Sequence, residues 1–299
     1  MRLQRGDCAG LLAPSGFVTN DVLEASVAFL QGLGLRVKVG ESCFCRLGYL
    51  AGADDVRARD FNRMTADEDV AGLFALRGGY GAARILPLID WDVFREADKP
   101  FFGYSDSTAV HLAIQLLGLR SFHTPMPATE LRRGADAFTL ASYEACVFGG
   151  GYDLRNPPGH TMTALSGGVC EGVLTGGNLS MLAASLGTPF ALDVRGAVLF
   201  LEEISEEPYR IDRMLTQLAQ AGVFRDCAGV VLGAFTDCAA NRPDASLNCA
   251  EVLADAFTGL GKPVLSGLAC GHCLPTLSLP LGVKVRLDTN RMELTVLEG

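Results

Sequence analysis

Four short apolar runs alternate with helix-patterned stretches through the first third of this chain, at residues 10–13, 35–39, 70–76 and 100–103. Between them, residues 21–30 carry Leu23, Val27 and Leu30 at helical spacing. Residues 54–65 are polar except for Val56, Phe61 and Met64, which fall on one side of a helix. Strands that alternate with helices pair in parallel, because each connection must cross back over the sheet. The run at 35–39 alternates apolar and polar residues, as an edge strand does. In such sheets ligands and chemistry collect at the C-terminal ends of the strands. Ser15-Gly16, Gly78-Gly79 and Ser105 all fall at those ends. The expectation is a doubly covered parallel sheet with a functional rim.

Length and composition narrow the class. A chain of 299 residues predicts about two domains. With 49% hydrophobic and 20% charged residues, it has ample material for a core. The formal charge of −9, with no Lys/Arg-rich run, argues against nucleic acid or an anionic membrane as partner. The start, Met1-Arg2-Leu3-Gln4-Arg5, is basic and precedes an apolar stretch, but that stretch is short and ends in Pro14-Ser15-Gly16. It reads as a first core strand rather than a signal peptide. No segment approaches the roughly 18 apolar residues of a spanning helix. The ten cysteines sit mostly in apolar surroundings, which fits small buried thiols in a reducing cytosol better than a disulfide framework. Cys270-Gly271-His272-Cys273 has a metal-like spacing. Structural zinc needs a second matched pair, and Cys43-Phe44-Cys45 is a poor one.

The middle of the chain holds a polar helix, then Gly149-Gly150-Gly151 and Asn156-Pro157-Pro158-Gly159, a linker composition. The predicted division is a domain over 1–130, a linker region over 131–165 and a second domain over 166–299. In that second domain strands are expected at 172–174, 197–201 and 229–235, and helices at 179–186, 209–221 and 249–260. Short strands follow to the end. This reads as a second, strand-rich α/β domain.

The most reactive-looking motif is Gly103-Tyr104-Ser105-Asp106, between a buried strand and a helix beginning near Thr108. A serine at a tight strand-to-helix turn is lifted out of the sheet. The helix behind it offers unpaired backbone N–H groups to a developing negative charge. That is the logic of a nucleophile elbow, although Ser107 stands where the second glycine of G-x-S-x-G is usual. Serine is also a common helix N-cap. A serine nucleophile needs a base, and the base needs an orienting acid. Of the four histidines, His111 reads as a packing residue and His160 lies in the linker. His123 ends a strand, where it can line a pocket, and His272 follows a flexible glycine at the end of an apolar segment. For the acid, Leu199-Phe200-Leu201-Glu202-Glu203 carries an apolar strand into a carboxylate. Either Glu202 pairs with a cation there, or it opens a solvated acidic turn with Glu206 and Glu207. Arg77-Gly78-Gly79-Tyr80-Gly81 is not a G-x-G-x-x-G fingerprint and follows the third strand, not the first. A glycine turn beside an elbow can instead aim N–H groups at an oxyanion.

Taken together, these stretches resemble the LD-carboxypeptidase family, the muramoyl-tetrapeptide carboxypeptidase-like serine peptidases. The matching segments are Leu12-Ala13-Pro14-Ser15-Gly16, residues 76–84 and Gly103-Tyr104-Ser105-Asp106. In the second half they are Thr175-Gly176-Gly177-Asn178-Leu179, Leu186-Gly187-Thr188-Pro189, Leu201-Glu202-Glu203 with residues 208–215, and Gly271-His272 with residues 277–282. They run in family order over nearly the whole chain. The resemblance implies a flavodoxin-like N-terminal domain carrying nucleophile Ser105, and a C-terminal domain carrying Glu202 as orienting acid and His272 as general base. It implies an oxyanion hole from the backbone N–H groups of Gly79 and Asp106, no metal or cofactor, a cytoplasmic homodimer and a small peptide substrate. That substrate is the peptidoglycan tetrapeptide, which loses its terminal D-alanine in murein recycling. A carboxylate-rich ligand calls for cationic or polar groups, for which Arg77, Tyr104, His123 and Arg210 are candidates; Arg213 reads better as a structural ion pair. Two positions depart from the family pattern. Glu203 stands where Asp is common, and His123-Thr124-Pro125 replaces His-Gly-Pro. Two other readings stand beside this one: a microcin C immunity-type peptidase acting on a peptidyl-nucleotide, and a non-catalytic ligand-binding α/β protein.

Overall fold

The computed structural model describes residues 2–132 and 134–297. The chain divides into two compact units, Met1–Gly151 with Ser278–Pro280, and Tyr152–Leu277 with Leu281–Gly299.

The first unit contains, in chain order, β1 (Cys8–Leu12), α1 (Asn20–Gly32), β2 (Arg36–Val39), α2 (Asp54–Ala66), β3 (Val70–Ala75), α3 (Ala82–Ile85), α4 (Trp91–Ala97), β4 (Phe101–Gly103), α5 (Thr108–Leu116), β5 (Ser121–His123) and α6 (Ala137–Phe148). Strand order is β2-β1-β3-β4-β5, and β1 to β5 pair in parallel. That is the flavodoxin-like order, with its switch point between β1 and β3. β1 is buried along its whole length, whereas β2 at the edge alternates exposed and half-buried residues. A late strand, β11 (Leu279–Leu281), adds the other edge beside β5. Rings pack across the strands on one face, with Phe74 on Phe102 at 4.4 Å and Phe102 on Phe122 at 4.9 Å. On the other face Phe61 meets Phe94, Phe101 and Trp91. Each fully buried ring stabilises the sheet by about 1.5–3 kcal/mol. Trp91 is a packing residue here, its indole N–H donating to the Leu86 carbonyl. Trp91 opens the short helix α4. It is only seven residues long, and its clearest signal is Asp90, whose carboxylate caps the Val93 N–H.

His111 in α5 is fully buried, as a packing role requires. Its Nε2 lies 2.8 Å from the Gly103 carbonyl and its Nδ1 2.8 Å from Ser121 Oγ. A carbonyl only accepts, so Nε2 carries the proton and Nδ1 accepts from the serine. Burial lowers the His111 pKa to about 4, whereas an unfolded histidine titrates near 6.5. The depressed native value contributes stability that is complete above pH 6.5 and is lost as pH falls toward 4. Between pH 7 and pH 5 the wild type is expected to lose about 2 kcal/mol through this one group. Urea midpoints across that range check it. His111→Gln, which cannot titrate there, should show a shallower slope.

The second unit holds β6 (Thr163–Ser166), β7 (Val169–Asn178), α7 (Leu179–Ser185), β8 (Val198–Ile204), α8 (Pro208–Gln220), α9 (Val223–Asp226), β9 (Gly229–Thr236), α10 (Cys249–Phe257), β10 (Val264–Ser266), β12 (Lys284–Asp288) and β13 (Glu293–Val296). Its seven-stranded sheet has the order β13-β12-β7-β8-β9-β10-β6. A parallel centre, β7-β8-β9-β10, is flanked by antiparallel pairs. Two expectations are corrected. β7 is ten residues long rather than three. Its first half pairs with β12 and its second with β8. Gly176 and Gly177 therefore lie in a strand; a Cβ at Gly176 would sit 2.0 Å from the Phe200 carbonyl oxygen. β8 runs on through Glu202 and Glu203. The solvated acidic turn does not form there, because both carboxylates are buried. β6, a half-exposed edge strand, was also not foreseen.

Candidate active site

Ser105 lies where β4 ends and the helical turn leading into α5 begins, with φ at +62°. A non-glycine residue in that left-handed region is held against its own preference by its surroundings. Two glycines make the turn possible. A Cβ at Gly103 would meet Ala75 Cβ at 2.9 Å and Ser107 Oγ at 3.1 Å. A Cβ at Gly78 would lie 2.8 Å from Ser105 Cβ and 2.9 Å from Ser105 Oγ. The Arg77–Gly81 turn therefore rests directly against the serine side chain. Gly79 within it has φ +121°, a conformation favouring glycine. Gly78→Ala should slow fluorophosphonate labelling of Ser105 by at least about tenfold, since displacements near 1 Å at a reacting group cost up to 10²-fold. An unchanged labelling rate would show that the turn tolerates the methyl group.

Asp106 is buried, and its side chain turns away from solvent. Oδ2 accepts from Ser15 Oγ at 2.6 Å and from the Ala82 N–H at 2.8 Å. Its Oδ1 is buried without a hydrogen-bond partner among the described residues. Across the same loops lies Arg57 of α2, which is completely buried. Its Nη1 donates to the Gly81 carbonyl at 2.8 Å and also to the Pro14 carbonyl, and its Nη2 pairs with Asp54. Arg57 was not picked out from the sequence. The signal was its spacing: Arg57, Phe61 and Met64 are four and three residues apart, so the arginine shares the apolar face of α2.

In the second unit, Glu202 is fully buried on β8, and its Oε2 lies 2.7 Å from His272 Nδ1. A carboxylate only accepts, so Nδ1 carries the proton and Nε2 is left as the basic nitrogen of the neutral ring. The histidine side chain is 12% exposed. Gly271 permits the approach, for a Cβ there would meet Glu202 Oε2 at 2.7 Å. Chemically, a neutral imidazole held through Nδ1 by a buried carboxylate can take up a proton at Nε2. The neighbouring Glu203 faces elsewhere. It accepts from Asn178 Nδ2, from the Ser180 N–H and Oγ, and from the Ile204 N–H. Burial pushes its carboxyl above the ordinary carboxylate range, and these donors pull it back. Glu203 thus ties the β7–α7 turn to β8.

The remaining candidates separate by environment. Arg77 is spent on the loops, its Nε donating to the Gly78 carbonyl and its Nη1 to the Phe17 carbonyl. Tyr104 is buried and its hydroxyl donates to Glu130 at 2.5 Å, while its ring meets His123 edge-on at 5.5 Å. His123 is buried as well. Arg210 is exposed on α8, 3.5 Å from Glu206. Arg213 lies over the Tyr209 ring. Cys270 and Cys273 direct their thiols to the carbonyls of Leu277 and Pro275.

Comparison with known proteins identifies the family. Residues 9–124 match the LD-carboxypeptidase N-terminal domain and residues 171–287 the LD-carboxypeptidase C-terminal domain. A probable murein peptide carboxypeptidase of Bacillus subtilis is 40% identical over 96% of this chain and 90% of its own. A crystal structure of muramoyltetrapeptide carboxypeptidase from Oxalobacter formigenes superposes with a TM-score of 0.83 at 31% identity, covering 96% of this chain and 97% of that one. The microcin C7 self-immunity protein MccF of Escherichia coli is 27% identical over 98% of this chain and 94% of its own. With domain matches to both halves and relatives of this identity along its length, the chain belongs to the LD-carboxypeptidase family of serine-type carboxypeptidases.

Proposed function

We propose that this protein is a serine LD-carboxypeptidase that releases terminal D-alanine from the tetrapeptide of peptidoglycan, with Ser105, Glu202 and His272 acting as one triad. The observation that carries the reading is the buried Glu202–His272 pair, found in the same chain as a serine held at φ +62° against a glycine turn. His272 Nε2 takes the Ser105 proton as Oγ attacks the carbonyl that joins an L-configured centre to D-alanine. The N–H groups of Gly79 and Asp106 stabilise the oxyanion. The tetrahedral intermediate collapses, His272 protonates the leaving amine, and an ester remains on Ser105. Water, deprotonated by His272, then hydrolyses the ester and restores the serine.

In this reading the N-terminal domain supplies the nucleophile and oxyanion donors, and the C-terminal domain supplies acid and base. The enzyme works as a cytoplasmic homodimer on a small muropeptide, with Tyr104, His123 and Arg210 as candidates to bind it; Arg77 instead holds the loops beside Ser105. The test is mass spectrometry of the diaminopimelate tetrapeptide after incubation with the protein. Loss of one D-alanine supports the reading. No loss, with Ser105 still labelled by a fluorophosphonate, redirects it to other acyl substrates such as a processed peptidyl-nucleotide. Absence of labelling leaves a binding protein.

A further inference from the structure

We infer that Arg57, Ser15 and the Asp106 carboxylate are positioning residues that clamp the Gly81–Ala82 peptide and so hold the glycine turn against Ser105. This inference rests on the reading of Ser105 as an acylated nucleophile. The clamp has two sides. The carbonyl of Gly81 accepts from Arg57 Nη1 at 2.8 Å, and the N–H of the same peptide group, on Ala82, donates to Asp106 Oδ2 at 2.8 Å. Each charged side chain also holds the loop after β1: Arg57 through the Pro14 carbonyl, Asp106 through Ser15 Oγ at 2.6 Å. A buried cation and a buried anion thus grip two loops at adjacent residues of each, Pro14–Ser15 and Gly81–Ala82.

The turn needs such a restraint. Gly79 and Gly81 both have positive φ, at +121° and +129°. Glycine at such positions is sterically free, so the turn does not rigidify itself. Its first half is fixed by Arg77 and by the Leu76 N–H, which donates to the Leu12 carbonyl. Its second half has Arg57 and Asp106. Asp106 also adjoins the nucleophile, so one residue connects the elbow, the β1 loop and the turn. Donors stabilise an oxyanion only when they are fixed before charge develops, because reorganisation otherwise consumes the gain. Neither Arg57 nor Ser15 takes part in the chemistry; they act through the position of Gly79.

The experiment compares wild type with Ser15→Ala and Arg57→Lys in the full chain. Three quantities are read: the rate of Ser105 phosphonylation by a fluorophosphonate, kcat and KM for D-alanine release, and Tm. Phosphonylation forms the Oγ–P bond as fluoride leaves and demands the same oxyanion donors without the peptide's own binding contacts. Both variants should lose roughly 10- to 100-fold in phosphonylation rate and kcat, with KM held within about threefold. A fall in Tm with unchanged rates would make the cluster merely structural and overturn the inference. A rise in KM with unchanged kcat would make it a substrate contact, and would overturn it too. Wild type that labels at Ser105, beside variants that label equally fast, sinks the clamp alone. Wild type that neither labels nor releases D-alanine sinks the hydrolase reading and the clamp with it.

Discussion

Ser105→Ala is expected to reduce D-alanine release by at least about 10³-fold while leaving the fold intact. One oxygen atom is removed, so the loss isolates the nucleophile proposed above. A triad stripped of one member retains only what oxyanion donors and binding contribute over water, and removing the serine costs nearly as much as removing the whole triad. The alanine must still adopt φ +62°. An alanine methyl meets the same Gly78 surface as the serine Cβ, so the elbow keeps its packing partner. KM should therefore change far less than kcat. The measurement is D-alanine release under single-turnover conditions, with circular dichroism as a check on the fold. Full turnover by the variant would remove Ser105 from the chemistry and with it the acyl-enzyme route. A residual rate within tenfold of wild type would point to a mechanism in which water attacks directly and Ser105 only orients it.

Much of this architecture was legible because its signals are local. Short apolar strands punctuated by glycine and separated by helices with 3.6-residue periodicity imply a parallel sheet, and the β2-β1-β3-β4-β5 order places Ser15, Gly78 and Ser105 at strand ends. The apolar run before Glu202 leaves both a paired, buried acid and a solvated turn open, and its burial decides for the first. What escaped depends on partners distant in sequence. β7 looks like a three-residue strand because Gly176-Gly177-Asn178 reads as the opening of the helix that follows, yet Gly176 is required where β7 passes the backbone of Phe200. Periodicity cannot show that a glycine is needed by the neighbouring strand rather than by its own. Arg57 escaped because a charged residue on a mostly polar helix looks solvated. Only the loops after β1 and β3, reached 43 and 24 residues away, supply the carbonyls that make its burial tolerable. The two glutamates of β8 look alike in sequence and serve different partners, because successive strand residues face opposite sides of a sheet.

That alternation sets up the second large effect. Glu202→Gln should lower kcat by about 10³- to 10⁴-fold near neutral pH, whereas Glu203→Gln should leave turnover far closer to wild type. The substitution at Glu202 keeps the side-chain volume, and Gly271, with no Cβ to meet it, still accommodates it. Two things are lost. The carboxamide carries no charge to stabilise the imidazolium that the proposed mechanism forms on His272. It also presents an oxygen or an NH₂ group to Nδ1 with little to choose between them, since Glu202 Oε1 has no hydrogen-bond partner among the described residues that would fix the flip. With the NH₂ group inward, Nδ1 must accept, the ring proton moves to Nε2, and the nitrogen that should take the serine proton is already protonated. At Glu203 the same change touches Asn178, Ser180 and the Ile204 N–H, groups that hold the β7–α7 turn. Its cost should fall on the urea midpoint. Steady-state kinetics of both variants beside their unfolding curves tests the distinction. Equal losses of kcat would mean that negative charge at the end of β8, not the contact with His272 Nδ1, is what the reaction uses, and the role proposed for Glu202 would fall.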